Sequence, residues 1–128
     1  MSRKLICLLF AALLLLPSLA LAGAEPEDFK VTTTQELIDL CSTAPGDPLY
    51  AEAIHFCHGY LIGAIHYYAA STTGPGSKSL VCFPEPRVSR TEGVKMFVDW
   101  AKAHPQYMNE LPVETEFRFL IEKWPCKE

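Results

Sequence analysis

Four cysteines constrain this chain more than any other feature. Cys41, Cys57, Cys82 and Cys126 stand far apart in the sequence, and a fifth, Cys7, sits in an N-terminal segment with the make-up of a signal peptide. Arg3 and Lys4 form a basic start, Leu5 to Leu16 an apolar run, and Pro17 breaks it. The run is too short to span a bilayer comfortably. "ALA" (Ala20 to Ala22) offers small residues at the positions a signal peptidase reads, and "AGA" (Ala22 to Ala24) is a second register. No cysteine follows either site to take a lipid. Residues 1–22 are therefore expected to be removed, leaving 23–128 as one small exported domain, soluble and without a membrane segment. In an oxidising compartment the four remaining cysteines read as two disulfides, with three connectivities open.

Other uses of the sulfur fit less well. Zinc sites place ligands at short spacings such as CxxC or HxxxH, and neither occurs here. A catalytic thiolate must be free, which a disulfide forbids. No paired carboxylates, Ser–His–Asp set or glycine-rich phosphate loop is found, so no catalytic residue, metal ligand or cofactor is assigned. Without Arg3 and Lys4, nine basic and fifteen acidic residues remain, a charge of −6 with His neutral. That balance argues against nucleic acid and anionic lipid as partners and leans towards a basic protein.

The rest of the pattern is helical. Glu25 to Lys30 is polar and reads as a loose leader. Thr33 and Glu36 fit a capping box for a first helix that carries Leu37, Ile38, Leu40 and Cys41. Asp47 and Pro48 look like the N-cap and first position of a second helix, from about Leu49 to Ala70. Ser71 to Ser79, rich in Gly, Ser and Thr, reads as a flexible loop. Pro84 and Pro86 keep "LVCFPEPRV" extended or irregular. Ser89 and Glu92 offer another capping box, for a third helix with Val94, Phe97, Val98 and Ala101 on one face and Pro105 beyond its end. A fourth helix begins near Pro112, with Val113, Phe117, Leu120, Ile121 and Trp124 on one side. No period-2 strand and no internal repeat is evident. The expected fold is all-α, a small four-helix bundle-like domain stapled by two disulfides.

The second helix holds the densest chemistry, "IHFCHGYLIGAIHYYAA" from Ile54 to Ala70. At about 100° per residue, Ala53, Ile54, Cys57, Leu61, Ala64 and Tyr68 share an apolar face. Glu52, His55, Gly59, Gly63, His66 and Ala70 share the opposite one, with Phe56, Tyr60 and Tyr67 on a flank. Two glycines inside a helix cost roughly 1 kcal/mol each relative to alanine, and close approach by another backbone is the usual compensation. His55, Gly59, Gly63 and His66 are thus expected to meet another helix of the bundle or a second chain. His55 and His66 lie about 16 Å apart along the axis, too far to share an ion.

Four short stretches, "CHGYLIGAIH" (Cys57 to His66), "VCFPEP" (Val81 to Pro86), "AHP" (Ala103 to Pro105) and "WPC" (Trp124 to Cys126), occur in that order. Together they resemble the Rap/Tai family of type VI secretion amidase immunity proteins, over nearly the whole expected mature chain, from Cys41 to Cys126. The resemblance implies a small helical periplasmic homodimer that binds a secreted peptidoglycan amidase effector and blocks its active-site groove, with no chemistry of its own. Two positions depart from it. His66 stands where such proteins often carry Asp, so any positioning work of that carboxylate falls to an imidazole and becomes pH-dependent. Glu114 replaces a small apolar residue. The preferred pairing is Cys41–Cys57, tacking the first helix to the second, and Cys82–Cys126, tying the proline-rich connection to the C-terminus. Lys78, in the polar Ser71–Ser79 loop, is a candidate contact for insertion into a groove. The alternatives are an envelope housekeeping or stress protein of the same fold with no toxin partner, and a metal or redox protein.

Overall fold

The computed structural model describes residues 23–127, and the expected signal peptide, residues 1–22, lies outside the described residues. Four α-helices carry the fold: α1 (Thr34–Cys41), α2 (Tyr50–Ser71), α3 (Arg90–Lys102) and α4 (Pro112–Lys123). Short 3-10 turns at Pro26–Lys30 and Pro105–Tyr107 precede α1 and α4. Among the described residues there is no strand; one isolated antiparallel bridge joins Val81 to Pro125. None of the described helices is long and apolar enough to cross a membrane.

Local chemistry sets the helix starts. The Thr33–Glu36 capping box forms in full at α1. Two further first-turn donors, the N–H groups of Thr34 and Gln35, reach the carbonyls of Glu110 and Met108 at 2.8 and 3.0 Å. The loop before α4 thus satisfies groups a helix start leaves free. At α3 the Ser89 half of the box forms, its Oγ accepting from the Glu92 N–H at 3.2 Å. Asp47 does not cap α2, which begins at Tyr50 behind Leu49. Its carboxylate instead accepts from the N–H groups of Leu49 and Ala24, at 2.8 and 3.3 Å, and so holds the chain entry against the α1–α2 turn.

The core is built from Leu37, Ile38 and Leu40 of α1, Ala53, Cys57 and Leu61 of α2, Phe97, Val98 and Ala101 of α3, and Phe119 and Leu120 of α4. The leader expected to be loose belongs to it. Phe29 meets Phe56 edge-on at 5.6 Å, and Val31 is buried although its φ of 49° lies in the left-handed region that β-branched residues avoid. Its burial compensates that strain.

Both disulfides pair as preferred. Cys41–Cys57 closes a separation of 16 residues between α1 and α2; Cys82–Cys126 closes 44, from the proline-rich connection to the C-terminus. Backbone bonds from Cys82 N–H to the Trp124 carbonyl (2.8 Å) and from Cys126 N–H to the Leu80 carbonyl (3.1 Å) flank the second bridge.

The orientation of α4 departs from expectation. Its buried residues are Pro112, Thr115, Glu116, Phe119 and Leu120, whereas Val113 and Ile121 are exposed and Phe117 lies half-buried on Tyr68. A buried hydroxyl pair fixes this rotation: Thr34 Oγ1 and Thr115 Oγ1 stand 2.7 Å apart, both side chains fully enclosed. Phe119 completes it by packing on Phe97 at 5.8 Å.

Candidate functional site

The buried side of α2 decides what its other side can do. Ala53, Cys57 and Leu61 face inward, and the Cys57 sulfur is bonded to α1. The helix cannot turn about its axis without breaking that bond. His55, Gly59, Gly63 and His66 are consequently held on the outward face, all four exposed. A methyl group added at Gly59 or Gly63 would meet nothing within 4 Å beyond the backbone of its own helical turns. The other helices of the bundle therefore do not cover this face, and packing within one chain does not account for the glycines.

Aromatic side chains border it. Phe56 stacks along Tyr60 at 6.5 Å, and Tyr67 is 78% exposed. Val113, Leu111 and Ile121 of the α4 region are also exposed. Isolated exposed apolar groups are ordinary, but several on adjoining helices suit a surface meant to be covered.

Lys78 is exposed in the loop after α2, where sequence reasoning placed it. The loop turns on itself in its middle and is tied to α2 at its far end. Ser77 N–H closes a turn on the Gly74 carbonyl, with Gly76 at φ 81°, a conformation that favours glycine. Further on, the Tyr68 hydroxyl oxygen accepts from the N–H groups of Leu80 and Val81, at 2.5 and 3.1 Å. Tyr68→Phe is expected to cost about 1 kcal/mol through the orphaned Val81 donor, and to speed hydrogen exchange at Leu80 and Val81. Denaturant unfolding with amide exchange checks both.

Glu116 is the residue that sequence reasoning missed. It is 1% exposed, and neither carboxyl oxygen has a hydrogen-bond partner in the protein. Burial pushes its pKa up to about 9. Tyr60, nearby on α2, is raised too, first by burial and then by the Glu116 charge. At neutral pH Glu116 is a neutral acid, one O–H donor and one acceptor inside an apolar wall.

The four short motifs have structural work of their own. His104 of "AHP" stacks on Trp100 at 4.0 Å, its Nδ1 2.7 Å from the Trp100 carbonyl, and Arg118 lies over the neighbouring Tyr107 ring. Phe83 of "VCFPEP" meets Trp124 of "WPC" at 5.6 Å, beside the Cys82–Cys126 bridge.

No curated protein and no solved structure matches the chain. A family model, that of the Rap1a immunity proteins, matches residues 33–126, from the N-cap of α1 to the last cysteine. With most of the chain and every stapled element inside that match, the protein belongs to the Rap1a immunity protein family.

Proposed function

We propose that this immunity protein acts in the periplasm, where it binds a secreted cell-wall amidase of type VI secretion and blocks it by contact alone. The observation that carries the reading is the family match over the whole stapled domain. The disulfide-held presentation of α2 agrees with it, since a surface fixed before binding loses little freedom on contact. In this reading Lys78 and the Tyr68-fastened loop enter the effector, and the His55–Gly59–Gly63–His66 face joins two copies of the chain. Purified domain titrated into peptidoglycan-amidase effectors of several types tests it: stoichiometric inhibition with a Kd well below micromolar supports it. Failure across a broad panel would favour an envelope housekeeping or stress role on the same fold.

Gly63 separates interface from packing. An exposed interior glycine weakens a helix by about 1 kcal/mol, and nothing in the monomer obstructs a side chain there. Gly63→Leu is therefore expected to lose the dimer while raising the monomer's stability by roughly 0.5–1 kcal/mol. Light scattering and urea unfolding read the two effects independently. An unchanged dimer mass would remove this face from the interface.

A further inference from the structure

A cleft of about 250 Å³ opens between α2, the 83–90 segment, α3 and α4. Leu61, Ile65, Phe83, Phe97, Phe119 and Trp124 supply apolar walls, Glu116 lines it from α4, Arg87 and Ser89 line it from the segment that leads into α3, and Arg90 lines it from the first position of α3. Glu116 is unusual because it is almost wholly enclosed and both its oxygens lack a protein partner. Buried polar groups are nearly always paired, so an enclosed unpaired carboxyl bordering a cavity marks a place for a hydrogen-bonding ligand. The arginines add a second requirement. Among the described residues the ion pairs are Lys30–Glu27, Lys95–Asp99 and Arg118–Glu110; Arg87 and Arg90 join none of them. Both are exposed, with the Arg87 guanidinium 5.0 Å from the Phe83 ring centre.

We propose that this cleft binds a small amide-bearing carboxylate, the chemistry an N-acyl amino acid or a short apolar peptide presents. The carboxylate meets Arg87 and Arg90, the apolar body fills the space between Leu61, Ile65, Phe97 and Phe119, and the amide pairs with Glu116. Each part follows from a different group on the wall. Guanidinium selects a planar anion. A neutral carboxyl needs a partner that both donates and accepts, which an amide does without ionisation on either side. An ammonium ligand would instead require Glu116 to release its proton to solvent, and would leave two charges among aromatic rings. The size also fits, since an apolar cavity of roughly 150 Å³ already admits benzene. The inference does not rest on the amidase reading.

N-acetyl-phenylalanine is the probe, titrated into the full mature domain by calorimetry and amide-proton NMR. It is expected to bind with millimolar or tighter Kd and to shift Leu61, Gly93, Val94 and Trp124. Two relatives, 3-phenylpropanoate without the amide and N-acetyl-phenylalanine amide without the carboxylate, are expected to bind at least tenfold more weakly. Glu116→Leu and Arg87→Ala should each weaken the probe by a similar factor, while Lys30→Ala, outside the cleft, leaves it unchanged. Absence of saturable shifts up to about 10 mM would overturn the proposal. Equal binding of all three compounds would overturn it too, as would wild-type affinity in Glu116→Leu.

Discussion

Glu116→Leu is expected to stabilise the domain by about 3 kcal/mol at pH 7, and Glu116→Gln to remove most of the pH dependence between 5 and 8. The sign follows from protons. The carboxyl titrates at an ordinary 4.5 once the chain unfolds, and near 9 in the fold. Below 4.5 both states hold the proton and the residue adds no pH dependence. Between the two values only the folded state holds it, so stability falls by about 1.4 kcal/mol for each unit of rising pH. From 4.5 to 7 that amounts to about 3 kcal/mol. Of the groups that feel Glu116, Tyr60 is raised above its ordinary 10, chiefly by burial, and so stays protonated throughout this window. His66, Arg87 and Arg90 line the cleft as well and are retained in both variants. Glutamine keeps the shape of the neutral acid, so it isolates the proton term. Leucine also removes the unpaired oxygens and fills the space with carbon. Urea unfolding of the three proteins from pH 4.5 to 8.5 reads the result. Parallel curves for wild type and Glu116→Gln would show the carboxyl ionised in the fold.

The reason this residue escaped sequence reading is physical. In "VETEFRFLIEK" (Val113 to Lys123), Phe117 and Phe119 are two apart and cannot share one helix face, so the apolar pattern supports two rotations. Counting hydrophobic residues favours Val113, Phe117, Leu120, Ile121 and Trp124. The fold takes the other rotation because Thr115 meets Thr34, and that contact joins residues 81 apart in sequence. No local pattern carries such a term. Helix starts were legible because their causes are local, as with Thr33 and Glu36, one residue triplet apart. Asp47 was misjudged because a second donor, the distant Ala24 N–H, engages its carboxylate. The outward α2 face was legible for a different reason. Cys57 fixes the inward direction, and glycine and histidine then fall opposite by periodicity alone. Phe29 and Val31 were missed because a five-residue 3-10 turn is too short to show a period.

Loss of the bridges is the other large effect, and the two differ in kind. Cross-linking lowers the entropy of the unfolded chain, by roughly 3 kcal/mol for the separation of 16 residues and 4 for that of 44. For a domain whose whole stability is expected in the range of about 5–15 kcal/mol, either loss is severe. Cys41→Ala/Cys57→Ala carries a further penalty, because Cys57 is completely buried between α1 and α2 and its sulfur leaves a void. Cys82→Ala/Cys126→Ala leaves less of one, since Cys82 is exposed. It instead frees the segment holding Phe83 from Trp124, and with it one wall of the Glu116 cleft. Both double variants are thus expected to lose about 4 kcal/mol, by different routes. Dithiothreitol should open the exposed Cys82–Cys126 bridge first, changing Trp124 fluorescence before helical circular dichroism falls. Peptide mapping of partly reduced protein decides the order. Prior reduction of Cys41–Cys57 would mean that α1 separates from α2 more readily than the C-terminus separates from the proline-rich connection, against the burial of Leu37, Ile38 and Cys57 at that contact.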